Sequence, residues 1–242
     1  MTNGERNPVF QLEEICEETE YPCRSGGQAG QGRGGVSRGR RGVLRVPVIG
    51  HVYLDNTAGT NTIAAFDRHP GGALTPEPGS PFTAGDAGTG AGLASQGAIQ
   101  LAGGGRFLLS VDARSNQVSV PRVLPGGSLR PSDVVPSGGV MPVSTAVHGS
   151  LVYVANAGPA ATNYTGFRLS PWGSLTPVPG STVALPSSAQ PGDVLFDSTG
   201  TSLIRTRIGT SQIDSFTVGF DGRLTAAPGS SFTAQGVGPF GS

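Results

Sequence analysis

Polar side chains able to act on a ligand gather where the apolar runs of this chain end. Asp55 and Asn56 close one run and Asn61 opens the next. Asp112, Arg114 and Asn116 fill the matching gap further on, then Asn156 and Asn163, then Arg207 and Ser211. Gln96 and Gln190 each stand just ahead of a new run. Carboxylates, amides and arginines converging on one rim would suit a small, polar, oxygen-rich ligand such as a lactone or a sugar acid. Arg114 and Arg207 are the natural carboxylate binders, because a guanidinium in a short polar loop presents a planar fork. The same residues have a second reason to be there. Asn and Asp terminate strands and open turns by bonding their own backbone.

Other chemistry is excluded more readily. All sixteen basic residues are arginine, so there is no P-loop lysine, Schiff-base lysine or lysine general base. His51 and His148 sit at turns on the side opposite those polar gaps, and His69 lies in a His-Pro-Gly-Gly loop on that far side too. None stands near a Ser or Cys nucleophile, so a catalytic triad has no support. Cys16 and Cys23, without nearby histidines, are too few for a zinc site. Asp55 with Asp112 is the best pair for a hard cation, but no closely spaced acidic loop accompanies it and no metal site is assigned. No cofactor is expected. Net charge is zero with 13% charged residues, which argues against nucleic acid or an anionic membrane surface as partner. No stretch approaches the ~20 apolar residues of a membrane-spanning helix.

The elements that must position these residues announce themselves by repetition. Gly72-Ala73-Leu74-Thr75-Pro76 is echoed by Gly127-Ser128-Leu129-Arg130-Pro131, Gly173-Ser174-Leu175-Thr176-Pro177 and Gly222-Arg223-Leu224-Thr225-Ala226, the leucines lying 46 to 55 residues apart. Two short apolar runs precede each phrase, and Pro-Gly-Ser follows three of the four. Runs rich in Val, Ile, Thr and Phe, bounded by Gly, Pro, Asn and Asp, read as strands. A period near fifty with four strands per unit is the signature of β-propeller blades. The expected fold is therefore all-β, with four-stranded antiparallel blades near residues 44–90, 97–136, 142–186 and 191–234 and a stub at 238–242. Phe66, Phe167 and Phe216 fall at equivalent positions and are expected between blades. In such a meander, the loop into the inner strand and the loop joining the two middle strands emerge together around the central channel. That puts Asp55, Asn56, Gln96, Asp112, Arg114, Asn156, Gln190 and Arg207 on one face.

Residues 1–43 stand outside the repeat. A glutamate-rich stretch leads into a Gly/Arg/Gln tract without apolar periodicity, which predicts a disordered head. The stretch 43–49 is the expected inner strand of the first blade. No secretory signal pattern opens the chain, so a cytoplasmic location is expected, or a secreted one if the true start differs.

The order His51-Val52-Tyr53-Leu54-Asp55-Asn56, then Asn61 to Phe66, then Gly-x-Leu-Thr-Pro resembles the lactonase-type β-propellers. These are the seven-bladed relatives of 6-phosphogluconolactonase and of the 3-carboxymuconate-cyclising enzymes. Gln96-Gly97-Ala98 running into Gly105-Arg106-Phe107, and Val147 to Ala157, resemble them too. The likeness spans about residues 46 to 242 and implies roughly half a ring, about four of seven blades. It implies a hydrolase or cyclase acting on a small carboxylated lactone or sugar acid. Members with sugar-lactonase activity typically carry Arg-His after the Gly-Pro opening an inner strand, and Glu after the Asn ending the next. Here the openings read Gln96-Gly97-Ala98, Met141-Pro142-Val143 and Gln190-Pro191-Gly192. The endings read Asn56-Thr57, Asp112-Ala113, Asn156-Ala157 and Arg207-Ile208. Their absence keeps two rivals open: a non-catalytic ligand- or protein-binding propeller, and an inactive truncated product. Half a ring leaves blade edges uncovered, so self-association is expected.

Overall fold

The structure, a computed structural model, describes residues 11–16, 46–56 and 59–241. Among them lie nineteen strands and no helix, arranged as four antiparallel meanders. Blade I comprises β1 (Gln11–Cys16), β2 (Gly50–Asn56), β3 (Thr62–Arg68), β4 (Leu74–Pro76) and β5 (Phe82–Thr83). Blade II comprises β6 (Ile99–Ala102), β7 (Phe107–Asp112), β8 (Gln117–Val123) and β9 (Leu129–Pro136). Blade III runs β10 (Pro142–His148), β11 (Leu151–Asn156), β12 (Asn163–Leu169), β13 (Leu175–Pro177) and β14 (Val183–Ala184). Blade IV runs β15 (Pro191–Phe196), β16 (Ser202–Arg207), β17 (Gln212–Val218), β18 (Leu224–Ala226) and β19 (Phe232–Thr233).

The outer strand follows the Pro-Gly-Ser pattern. In blades I, III and IV it is broken in two, both pieces pairing with the third strand. Pro78, Pro179 and Pro228 cannot donate to the ladder, and the glycine that follows each turns the chain out of it. Blade II lacks that tripeptide and keeps β9 unbroken over eight residues.

The core lies between blades, because the middle strands of blades II and III are buried on both faces and alternate residues serve different neighbours. Leu151, Tyr153 and Ala155 of β11 join Val194, Phe196, Leu203 and Phe216 of blade IV. Val152 and Val154, in the alternate phase, join Phe107, Leu109, Val118 and Val120 of blade II. Tyr53, Ile63 and Ala65 meet Ile99, Leu108 and Leu129 between blades I and II. Phe167 and Phe216 are buried in these clusters as expected, whereas Phe66 is only half-buried.

The recurrent glycine and leucine are the joint between blades. Gly127, Gly173 and Gly222 take φ of 87°, 93° and 84°. A Cβ on Gly127 or Gly173 would collide with His51 or Phe107 of the preceding blade, and one on Gly222 would press tightly on Leu151 and Arg168. These three contacts occupy one repeat position, since His51↔Asp67, Phe107↔Arg122 and Leu151↔Arg168 are corresponding cross-strand pairs. Tyr53 and Tyr153 lock two of the joints, donating to the carbonyls of Gly127 and Gly222 at 2.7 Å. The following leucine plugs the same seam. Leu129 and Leu175 are 8% and 4% exposed, while Leu74 of blade I is 45% exposed.

The inner strand of blade I departs from the sequence expectation. Gln11–Cys16 supplies it, in register with β2 from Gln11↔Asp55 to Cys16↔Gly50. Residues 46–49 form no strand. Pro47 has no N–H for a ladder, and its carbonyl instead lies 3.0 Å from Nδ1 of His69. The rest of the expected disordered head, residues 1–10 and 17–43, lies outside the described residues.

Candidate functional site

Register settles which loops share a face. Pro142 pairs with Asn156 and Pro191 with Arg207, so each inner strand begins beside the end of the second strand. His148 pairs with Leu151 at the opposite end. The loops expected to share a face lie side by side in these blades, but most of the polar residues on them are engaged by the fold.

Asp112, Asn156 and Arg207 occupy one repeat position, and each reaches across to the third strand of its own blade. Asp112 is buried; it accepts from Nδ2 of Asn61 at 2.8 Å and closely from the Ser119 hydroxyl. Asn156 is buried and donates to the Ser137 carbonyl at 3.2 Å and to Oδ1 of Asn163 at 2.9 Å. Arg207 binds Asp214 through both prongs, Nε to Oδ2 at 2.7 Å and Nη2 to Oδ1 at 2.6 Å, and Nη1 reaches Gln212. Its fork is thus occupied by a buried carboxylate that also accepts from Ser231 at 2.6 Å. Asn56, the fourth member, is half-buried and pairs with Thr62, and blade I has Ala64 at the position that holds Ser119, Thr165 and Asp214 in the other blades. Gln96 and Arg114 are exposed; their backbone N–H groups donate to Gly192 and Ala87.

Asp55 points between blades I and II, away from solvent. Burial pushes its carboxyl up to about 8, and the charge of nearby Asp112 adds to the rise; Ser110 and Asn61 pull it part of the way back. Asp112 is raised as well, chiefly by burial. Neither oxygen of Asp55, nor Oδ1 of Asn61, nor the Ser110 hydroxyl makes a hydrogen bond within the limits of good geometry. A protonated Asp55 adds an O–H donor to this group.

Blade IV holds the mirror case, a buried cation. Arg205 is 1% exposed and lies between the rings of Tyr164 and Phe216, its guanidinium carbon 3.5 and 3.8 Å from their centroids. Its nitrogens find no hydrogen-bond acceptor among the described residues. Burial lowers its pKa to about 10, and it remains charged at neutral pH. Sequence reasoning passed it over, although its phase with Leu203 on β16 was a readable sign that it faces inward.

One open cavity lies on the axial face. It measures about 320 Å³ and is lined by Leu93, Ala94, Met141, Ala157, Pro159, Ser187, Gln190, Pro191 and Ile208. Of the residues expected from sequence, Gln190 alone lines it. The backbone around it is unusual. Ala94, Met141 and Gln190 have φ of 49°, 55° and 45°, so among the described residues three of the five non-glycine residues with positive φ border this one cavity. Such conformations are costly for residues with a side chain and collect where function demands them. Neighbouring loops hold two of them: Ala157 donates to the Met141 carbonyl at 2.9 Å and Ile208 to that of Gln190 at 3.0 Å. The ladder skips one residue just after Pro142 and again after Pro191, which aims both strand openings at the cavity. A wall of Leu, Met, Pro and Ile with one amide and one hydroxyl suits a small, mostly neutral molecule.

Solved structures share this architecture. A protein of Bacteroides fragilis provisionally assigned as a 6-phosphogluconolactonase superposes with a TM-score of 0.65 at 18% identity, covering 79% of this chain and 53% of that one. A periplasmic gluconolactonase of Pseudomonas aeruginosa gives 0.62 at 18%, covering 77% and 55%. A second provisional 6-phosphogluconolactonase, from Bacteroides uniformis, gives 0.60 at 15%, covering 76% and 54%. The chain thus has the lactonase-type β-propeller fold and spans about half the length of these proteins. No protein-family model and no curated protein matches it.

Proposed function

We propose that this chain is a binding module on a lactonase-type propeller scaffold, holding a small, neutral, partly apolar molecule in the axial cavity without turning it over. The supporting observation is the convergence of strained backbone at Ala94, Met141 and Gln190 on a cavity whose walls carry no group able to serve as acid or base near neutral pH. General acid–base hydrolysis of a lactone uses such a group, and Arg207, next in sequence to Ile208 of the wall, is tied to Asp214. The experiment is calorimetric titration of δ-gluconolactone and of alkyl-substituted γ- and δ-lactones, with hydrolysis followed in parallel. Saturable binding of the more apolar lactones, no turnover above the spontaneous rate, and loss of binding in Met141→Trp are the expected results. Hydrolysis that disappears in Gln190→Ala would overturn this reading in favour of a lactone hydrolase. That second reading draws its support from the likeness of fold to the gluconolactonase of P. aeruginosa.

A further inference from the structure

On the opposite side of the seam between blades I and II, three adjacent strands bring together His51, Asp67 and Glu77. His51 on β2 and Asp67 on β3 are direct cross-strand partners, which places both side chains on the same face. Glu77 follows β4 with its backbone N–H on the Ala65 carbonyl at 2.9 Å, two residues beyond Thr75, the partner of Asp67. One nitrogen or oxygen from each of the three lies within 4.8 Å of the others. Nδ1 of His51 is 3.1 Å from Oδ1 of Asp67, and the His51 side chain is 6% exposed. Both atoms are buried, yet neither makes a hydrogen bond within the limits of good geometry. That leaves a nine-tenths-buried imidazole whose Nδ1 faces the Asp67 carboxylate without a well-formed hydrogen bond, with Glu77 close by.

We propose that His51, Asp67 and Glu77 form a binding site for a first-row divalent transition cation, Zn²⁺ being the best fit. Ligands about 2.1 Å from such an ion stand roughly 3–3.5 Å apart, the separation already present between His51 and Asp67. One imidazole with two carboxylates is a mixed nitrogen–oxygen set that favours zinc-like ions over calcium or magnesium. Glu77, partly open to solvent, is the ligand that admits the ion, and water completes the shell.

The repeat itself singles the site out. The positions of His51 and Asp67 are held by Phe107 and Arg122 in blade II, Leu151 and Arg168 in blade III, and Ser202 and Thr217 in blade IV. Glu77 corresponds to Val178 and Ala227, whose N–H groups bond Gly166 and Ser215 as Glu77 bonds Ala65. In no other blade does this position carry a set of metal ligands. The Gly126-Gly127 turn of blade II covers the His51 ring, so an ion here would pin blade II's turn over blade I's strands.

The test uses full-length protein with Cys16 and Cys23 replaced by serine, so that thiols cannot bind the metal, stripped with chelator. Zn²⁺ should raise the melting temperature with one equivalent bound, and Co²⁺ should give a visible absorption band of nitrogen–oxygen coordination. Glu77→Gln, at a partly exposed position, should weaken Zn²⁺ at least tenfold while the metal-free protein melts unchanged; His51→Gln should abolish binding. His148→Gln, remote from the cluster, should bind as the parent does. No zinc-dependent shift in the parent, or affinity untouched by Glu77→Gln, overturns the site.

Discussion

Asp55 carries a large electrostatic tension, and the sign of its effect runs opposite to that of a salt-bridged carboxylate. Its pKa is about 8 in the fold against an ordinary value of 3.8. Between these values the folded chain holds a proton that the unfolded chain has released. Stability is therefore fullest below pH 4, falls as pH rises toward 8 at up to about 1.4 kcal/mol per unit, and levels off above. Asp55→Asn keeps the shape and removes the ionisation. Denaturant unfolding at pH 8 should find this variant more stable than the parent by on the order of 2–4 kcal/mol. That gain should shrink toward pH 4; a gain independent of pH would refute the assignment. Asp112 and Arg207 teach a related lesson. Asp112 suited a turn as well as a ligand, and Arg207 suited carboxylate recognition. Only a partner seven residues on, Ser119 or Asp214 across the hairpin, shows that the fold engages them.

At the scale of elements, the glycine of the Gly-x-Leu phrase has two separable roles, a left-handed turn and a bare surface against the next blade. Gly72 and Gly127 share the first, with φ of 83° and 87°. Gly127 alone has the second, since space around Gly72 is open. Gly72→Ala should cost about 1–2 kcal/mol for the turn, and Gly127→Ala roughly 2–3 kcal/mol more for the clash with His51. Chemical denaturation of the pair reads out the difference; equal losses would mean the joint is looser than described. The phrase was legible as a period, and its phase with Leu gave the outer strand. What it touches was not legible, because a repeat shows recurrence within a blade and is silent on which residue of the neighbouring blade lies beneath it. For the same reason Gln11–Cys16 escaped notice as a strand: its pairing partner lies some forty residues away, beyond any local pattern.

For the whole molecule, the same joint is incomplete at both ends. Blade I presents its turn and Leu74 to solvent, while blade IV presents the receiving face with Leu195 44% and Ile204 39% exposed. Complementary halves of one repeated contact, left open on one body, make a head-to-tail pairing between copies the expected behaviour. Light scattering should show concentration-dependent association, abolished by Ile204→Glu. A parent chain that stays monomeric at high concentration would rule it out.

Periodicity and turn chemistry by themselves determined that the chain folds into repeated antiparallel meanders and where their turns fall, because alternation and loop chemistry are local and each repeat states them again. Tertiary structure alone decided which polar residues are engaged by neighbours. It also decided where Leu93, Met141 and Ile208 enclose a cavity, and that His51 meets Asp67 and Glu77. Those facts depend on distances between blades, set by packing among residues far apart in the chain.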